Sequence, residues 1–474
     1  MPNAHYPPSR SALSPWAHLK WQAFRLLEAA SDLRGNSAVG QFEMPRPARP
    51  EAAIWVFVST IGELNAIGPW LRELRRRAPS QGLVLITDHA HYRDSYAAQF
   101  PDARICVSHG HSRDAVQLAK HYPPTLLVVA EIPCLPADAP CRFSFAFLRE
   151  AKRRGAAAVV VNGWLYGYAP ACRMDAVERR WFERDYLRGF DMVCVQTDES
   201  ADRLRACGVS EERLAVCGNI KFDALDTTDW QWQRTRSPSL LHALLSGTRP
   251  VIVAGCVTSA SEQNTVLEAY QRVREQRPDA LLVLAPRHPE VTERMLALRA
   301  LLRERALVSR FRSDSEDAPI PPDCSCLVLD VLGELRDFYA AATIAHVGVD
   351  HNVLEPLRFA RPTTVLTGWE SSYPSYPVYR YLLEAGVLHS ATDADALAGY
   401  WRRLMTTSQQ QAQAWELTLQ RAKGATQRHF EALEHLLPRK ASAGLAAAAA
   451  DSPLSRPPAA PQAPGNPGHP EAPQ

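Results

Sequence analysis

From Ile54 onward, short aliphatic runs recur between stretches of helical spacing, and this rhythm constrains the fold more than any other feature of the chain. The runs are IWVFV (54–58), LVLIT (83–87), TLLVVA (125–130), AAVVVN (157–162) and MVCVQ (192–196). They are rich in β-branched residues, too short for helices, and do not alternate apolar with polar. That pattern predicts strands covered on both faces, as in a parallel sheet built from βαβ units. Helices are expected between them, among others at 69–77, 145–154 and 199–207. A polar, Trp-rich interval ends at Gly247-Thr248-Arg249-Pro250, after which the rhythm restarts with VIVAG (251–255), LLVLAP (281–286), CLVLD (326–330), TIAHVG (343–348) and TTVLT (363–367). Two consecutive doubly wound α/β domains follow from this, with ligands expected at the carboxyl ends of their strands.

The 474 residues amount to about three typical domains of ~150, which suits two folded units and some tail. The expected division is a flexible N-terminus (1–15), an amphipathic helix and linker (16–50), a first domain (51–225), an interdomain linker (226–247), a second domain (248–400) and C-terminal helices (401–440). Residues 441–474 run from an alanine tract into repeated prolines and are expected to be disordered, because they have too little apolar surface to offset ordering entropy. The stretch Asp393 to Leu437 is long enough for two helices that pack back across the domain junction. Near the start, Trp16, Leu19, Phe24, Leu27 and Ala30 fall near helical spacing, with Lys20 and Arg25 interleaved. Such a helix fits a membrane surface or a dock on the first domain, and both readings stand.

Several classes are disfavoured. Lys and Arg total 53 against 51 Asp and Glu, a net charge of +2, so the basic footprint of a nucleic-acid binder is missing. No apolar run reaches the ~18 residues of a bilayer-spanning helix, and no secretory leader opens the chain, so a cytosolic location is expected. Ten cysteines without a CxxC pair suit buried free thiols, among them Cys324 and Cys326. The H-x-H pairs His89/His91 and His109/His111 read as solvated loop residues, and Asp393-Ala394-Asp395 reads as a helix cap; neither is assigned a metal.

Six segments stand at predicted strand ends: STIGELNA (59–66), VVN (160–162), GNIKFD (218–223), APRHPE (285–290), LGEL (332–335) and HNVLEP (351–356). In their order they resemble the Kdo transferases, inverting glycosyltransferases of the GT-B fold that move 3-deoxy-manno-octulosonate from its CMP ester onto a lipid A precursor. The resemblance covers about residues 50–435. It implies two Rossmann-like domains facing a cleft, CMP-Kdo as donor, a lipid A precursor or other glycolipid as acceptor, and peripheral contact with the cytoplasmic face of an inner membrane. No cofactor or metal is implied, since the CMP-sugar is itself a substrate. The chain departs from the family at E-I-P-C-L-P (131–136), where the family has an acidic E-T-E-L-W-P stretch. It also has Trp164 in place of an Arg and a shortened V-G-V-D loop (347–350). These departures bear first on the acceptor, and two alternatives remain: a GT-B transferase with another donor or acceptor, or an inactive relative acting as a binding protein.

Glu63 follows the first strand and opens a helix, so its carboxylate belongs at the cleft. By resemblance it is the general base that takes the acceptor hydroxyl's proton, beside its plain reading as an acidic residue in a first helical turn. The resemblance places Arg287, His288, Leu332, Gly333, Glu334, Asn352 and Glu355 on the donor side. There Arg287 would hold an anion, Gly333 permit close backbone approach, and Glu355 accept from ribose hydroxyls. Asn352 and Glu355 also read as a capping box. Glu131, Asn162 and Lys221 are acceptor-side candidates, with a hinge turn as the structural reading of Asn219 and Lys221 and loop satisfaction that of Glu131 and Asn162.

Overall fold

A computed structural model describes residues 13–33, 42–109, 111–131, 145–164, 173–225, 231–314, 317, 319–371, 373 and 375–438. The expected tail at 441–474, residues 1–12 and the loop after Glu131 lie outside them. The first sheet contains β1 (Ala53–Phe57), β2 (Gly82–Thr87), β3 (Arg104–Val107), β4 (Pro124–Ala130), β5 (Ala157–Gly163), β6 (Met192–Val195) and β7 (Leu214–Val216). Its order is β3-β2-β1-β4-β5-β6-β7. The second contains β8 (Val251–Val257), β9 (Leu281–Pro286), β10 (Ser309–Phe311), β11 (Cys326–Val328), β12 (Ile344–Val347), β13 (Thr363–Leu366) and β14 (Leu388–Ala391). Its order is β10-β11-β9-β8-β12-β13-β14. All pairings among these strands are parallel, with Val56 opposite Leu85 on one side and Val128 on the other.

The order reverses between β1 and β4 in the first sheet and between β8 and β12 in the second. Such switch points leave a crevice beyond the strand ends, because the loops on either side turn away to opposite faces. Apolar side chains cover both faces of the first sheet: Trp55, Leu127 and Val160 pack beneath Phe145 and Phe182, while Ile54, Val56 and Val128 pack against Leu64, Ile67 and Leu71.

Sequence expectation and structure differ in four places. The strands β3, β7, β10 and β14 went unread; all four are sheet edges, β7 only three residues long and the other three short and partly polar, and therefore lack a long continuous aliphatic signature. The helix read at 69–77 and the one opened by Glu63 are a single helix that begins at Ile61, capped by Thr60, and runs through Pro69 to Arg77. Part of the expected linker is a helix, Pro238–Ser246, whose Leu240 and Leu241 are buried in the second domain's core. The N-terminal helix Pro15–Leu33 does dock on the first domain, but through Ala17, Trp21, Phe24 and Glu28. Of the stripe read from sequence only Phe24 is buried; Trp16, Leu19 and Leu27 face outward.

Asp393 caps the long C-terminal helix Ala394–Ala422, which kinks at Thr407 and places Trp401 and Trp415 in the second domain's cores. Gly424, at φ 89°, reverses the chain, and the helix Ala425–Leu433 returns to the first domain. There Phe430 stacks on Trp70 with ring centroids 5.3 Å apart.

Candidate active site

A cleft of about 640 Å³ brings together Glu63, Glu131 and Lys221 from the first domain with Asn352 and Glu355 from the second. Glu63 occupies the first turn of the helix that leaves β1 at the switch point. The Thr60 hydroxyl accepts from Glu63 N–H (3.3 Å), and the Ser59 amide donates to Glu63 Oε2 (2.6 Å). Burial is the main force raising the Glu63 pKa well above the ordinary 4.5; the charges of Glu131 and Asp88 add to it, and the amides of Ser59 and Thr60 oppose it.

Glu131 lies at the end of β4 with φ 55° and Asn162 near the end of β5 with φ 58°, a left-handed backbone that non-glycine residues adopt only when their surroundings hold them there. Lys221 Nζ lies 2.8 Å from Glu131 Oε1, and Asn162 Nδ2 donates to that oxygen at 3.1 Å. Asn162 is fully enclosed behind Glu131: its Oδ1 accepts from Ile220 N–H (2.9 Å), its carbonyl from Gln196, and its own amide donates to His429 Nε2 (3.0 Å). Asn162 is thus a buried strut for the GNIKFD turn and does not line the cleft, whereas Glu131 and Lys221 do.

On the second domain, Asn352 Oδ1 accepts from Leu354 N–H (3.1 Å) just before the short helix Leu354–Leu357, and the residue remains exposed to the cleft. Burial raises the Glu355 pKa, opposed by a hydrogen bond from Asn352 and by the charges of Arg336 and Arg358. Arg287, His288, Leu332, Gly333 and Glu334 fall outside the cleft lining. Arg287 Nη1 reaches only to 3.5 Å from His351 Nε2, and His288 turns to Glu290. Leu332 is exposed, and its carbonyl accepts from Arg236. Gly333 has φ 92° as the turn requires, and Glu334 points into the domain, held by Arg312 and Ser237. The LGEL segment therefore serves the fold at three of its residues.

Cys194, Cys217 and His429 have ligand atoms within 4.8 Å of one another. His429 gives its Nδ1–H to the Ala425 carbonyl one turn back in its own helix (2.7 Å) and takes the Asn162 amide on Nε2, so Nε2 fastens the returning helix to the first sheet. Of the histidines read as solvated, His111 is instead buried, 3.4 Å from the Glu28 carboxylate.

A family model described as 3-deoxy-D-manno-octulosonic-acid transferase (kdotransferase) matches residues 36–224. The chain is 27% identical over 414 residues to the 3-deoxy-D-manno-octulosonic acid transferase of Haemophilus influenzae, covering 82% of this chain and 88% of that one. It is 28% identical over 454 residues to the transferase of the same name from Bordetella pertussis, covering 85% and 94%. The chain is thus similar to Kdo transferases over most of its length. Among solved structures, a glycosyltransferase from Rickettsia africae superposes with a TM-score of 0.56 at 10% identity, covering 82% of this chain and all of that one; this likeness concerns the GT-B fold. The protein is accordingly a glycosyltransferase that transfers Kdo.

The cleft also holds residues that the motifs did not single out: Arg72, Arg336, His351 and Arg358. Arg336 adjoins LGEL and Arg358 lies two residues past HNVLEP, so the available signal was a cation near each motif. His351 was inside a motif and overlooked beside Asn352. Burial and the neighbouring Arg287 and His288 lower its pKa to about 4, which keeps the ring neutral at physiological pH. Arg72 offered no local signal, because only the helix running from Glu63 carries it to the cleft.

Proposed function

We propose that the protein transfers Kdo from CMP-Kdo to a hydroxyl of a lipid A precursor with inversion, Glu63 acting as general base. The observation that carries this reading is the buried Glu63 carboxylate at the first sheet's switch point, in one cleft with Asn352 and Glu355 of the second domain. The acceptor oxygen attacks the anomeric carbon, its proton passes to Glu63, and the bond to the phosphate oxygen breaks with its electron pair leaving on CMP. Burial suits Glu63 to this, because a carboxylate with a raised pKa is a stronger base than one in water. Lys221, Arg336 and Arg358 supply positive charge for the departing CMP, and Glu355 accepts from the ribose hydroxyls.

Among the described residues no helix is long and apolar enough to cross a membrane. The outward face of Pro15–Leu33 nevertheless carries Trp16, Leu19, Leu26 and Leu33, and we assign it to the lipid surface that presents the acceptor.

The decisive experiment incubates wild type and Glu63→Gln with CMP-Kdo and a lipid A precursor, following CMP release and product mass. Glu63→Gln is expected to lose roughly 10²- to 10⁴-fold in turnover while binding CMP as wild type does in calorimetry. Equal CMP release by both proteins overturns the assignment of the base. Absence of CMP binding by wild type favours an inactive relative.

A further inference from the structure

The two domains begin with the same local device. Ser59-Thr60-Ile61-Gly62-Glu63 follows β1 and Thr258-Ser259-Ala260-Ser261-Glu262 follows β8, and in each a hydroxyl caps a helix whose third residue is a glutamate. In each, that glutamate accepts the amide of the residue before the cap. The first copy's glutamate lines the cleft. The second copy's is buried and has both oxygens engaged: Thr258 N–H donates to Glu262 Oε2 (2.8 Å) and Val349 N–H donates to Oε1 (2.9 Å).

Val349 belongs to the turn after β12, so Glu262 ties together the two loops that flank the second sheet's switch point. The same loops meet backbone to backbone. Gly348 N–H donates to the Gly255 carbonyl (2.9 Å), Cys256 is held at φ 58°, and a Cβ on Gly348 would collide with the Cys256 carbonyl oxygen. Thr258 Oγ1 lies 3.0 Å from that carbonyl and 3.1 Å from His351 Nε2. The turn thereby delivers Asp350, His351 and Asn352 to the cleft. On its outer side the turn is tied through Asp350, whose Oδ1 accepts from Glu370 N–H and whose carbonyl accepts from Ser375.

We propose that Glu262 is a positioning residue for the donor: without touching substrate, its carboxylate sets the 348–352 turn at the height at which His351 and Asn352 meet the nucleotide. An uncapped helix is a local loss, but a turn carrying two cleft residues acts on the ligand through its position, and binding falls steeply when such groups shift. The inference rests on CMP-Kdo as donor only for the choice of ligand.

The test compares full-length wild type, Glu262→Ala, Glu262→Gln and Ser259→Ala by CMP calorimetry, amide hydrogen exchange across 348–352 and thermal melting. Ser259→Ala removes the other cap of the same helix, where Ser259 Oγ accepts from Glu262 N–H (3.0 Å), without touching the turn. Glu262→Ala is expected to weaken CMP binding by roughly 10- to 100-fold and to speed exchange at Val349. Glu262→Gln keeps the size of the side chain but offers one acceptor oxygen where two amides donate, and falls between. Ser259→Ala is expected to lower the melting temperature with CMP affinity and Val349 exchange unchanged. If Glu262→Ala does not fold, Glu262→Gln alone decides by the same two readouts. Glu262 variants with wild-type Val349 exchange overturn the proposal, as does a CMP affinity that tracks melting temperature equally in the Glu262 and Ser259 variants. If wild type does not bind CMP, the donor reading fails separately, and Val349 exchange still decides whether Glu262 holds the turn.

Discussion

Glu63 holds its carboxylate where a proton is hard to lose: enclosed, with a second carboxylate, Glu131, close enough to raise its pKa further. For a base the sign is clear. Activity needs the ionised form, so the rate falls as pH drops through a pKa above 4.5, higher than for an exposed glutamate. The same shift lowers stability as pH rises, since a group with a raised folded pKa contributes fully below its unfolded value and loses that contribution through the folded one. In Glu131→Gln the neighbouring charge is gone and Lys221 is released from it, and both changes favour the Glu63 anion. The acid limb of kcat/KM is expected to move to lower pH, as read from a pH–rate profile. An unmoved limb would mean that the titrating group is not Glu63. Glu63 was legible in the sequence because strand, cap and helix are all local. The role of Glu334 was not, because Arg312 and Ser237, which turn it inward, are distant in the chain; for Asn162 loop satisfaction was readable, but its partners Ile220 and His429 were not.

At the scale of elements, central strands announced themselves and edges did not. A strand flanked on both sides must be aliphatic on both faces, whereas SRF and LHSA satisfy one neighbour with three or four partly polar residues. The helix Pro15–Leu33 shows the converse difficulty. It has two apolar faces, and periodicity alone cannot say which one the protein covers. Its inner face packs Trp21 and Phe24 against Phe145 and Phe182. Its outer face leaves Leu19 at 59% and Leu26 at 73% exposure. Such exposure makes the outer face dispensable for folding, so Leu19→Glu with Leu26→Glu is expected to change stability by only about 0.5 kcal/mol per site. The same pair is expected to abolish co-sedimentation with vesicles containing anionic lipid, which the wild type should show. Undiminished sedimentation of the double variant would remove lipid contact from this helix.

Across the whole molecule, the GNIKFD segment joins the two lobes with almost every side chain committed. Ile220 enters the first domain's core and Phe222 the second's, while Lys221 meets Glu131 at the cleft. Asp223 accepts the amides of Gly424 (2.7 Å) and Thr426 (2.6 Å), which fixes the start of the returning helix Ala425–Leu433. The chain thus passes between lobes twice, and its last helix completes a core begun by residues far upstream. Phe430 is the largest side chain it contributes, fully buried against Trp70, so Phe430→Ala is expected to cost about 3–5 kcal/mol. The loss should be confined to one lobe. Hydrogen exchange is expected to quicken in β5 and β6, which lie over that helix through Asn162 and Cys194, and to stay unchanged in β8 and β9, whose cores contain no residue of it. Equal quickening in both sheets would mean that the lobes open as one cooperative unit, and the cleft between them could not then widen or close without disturbing both cores.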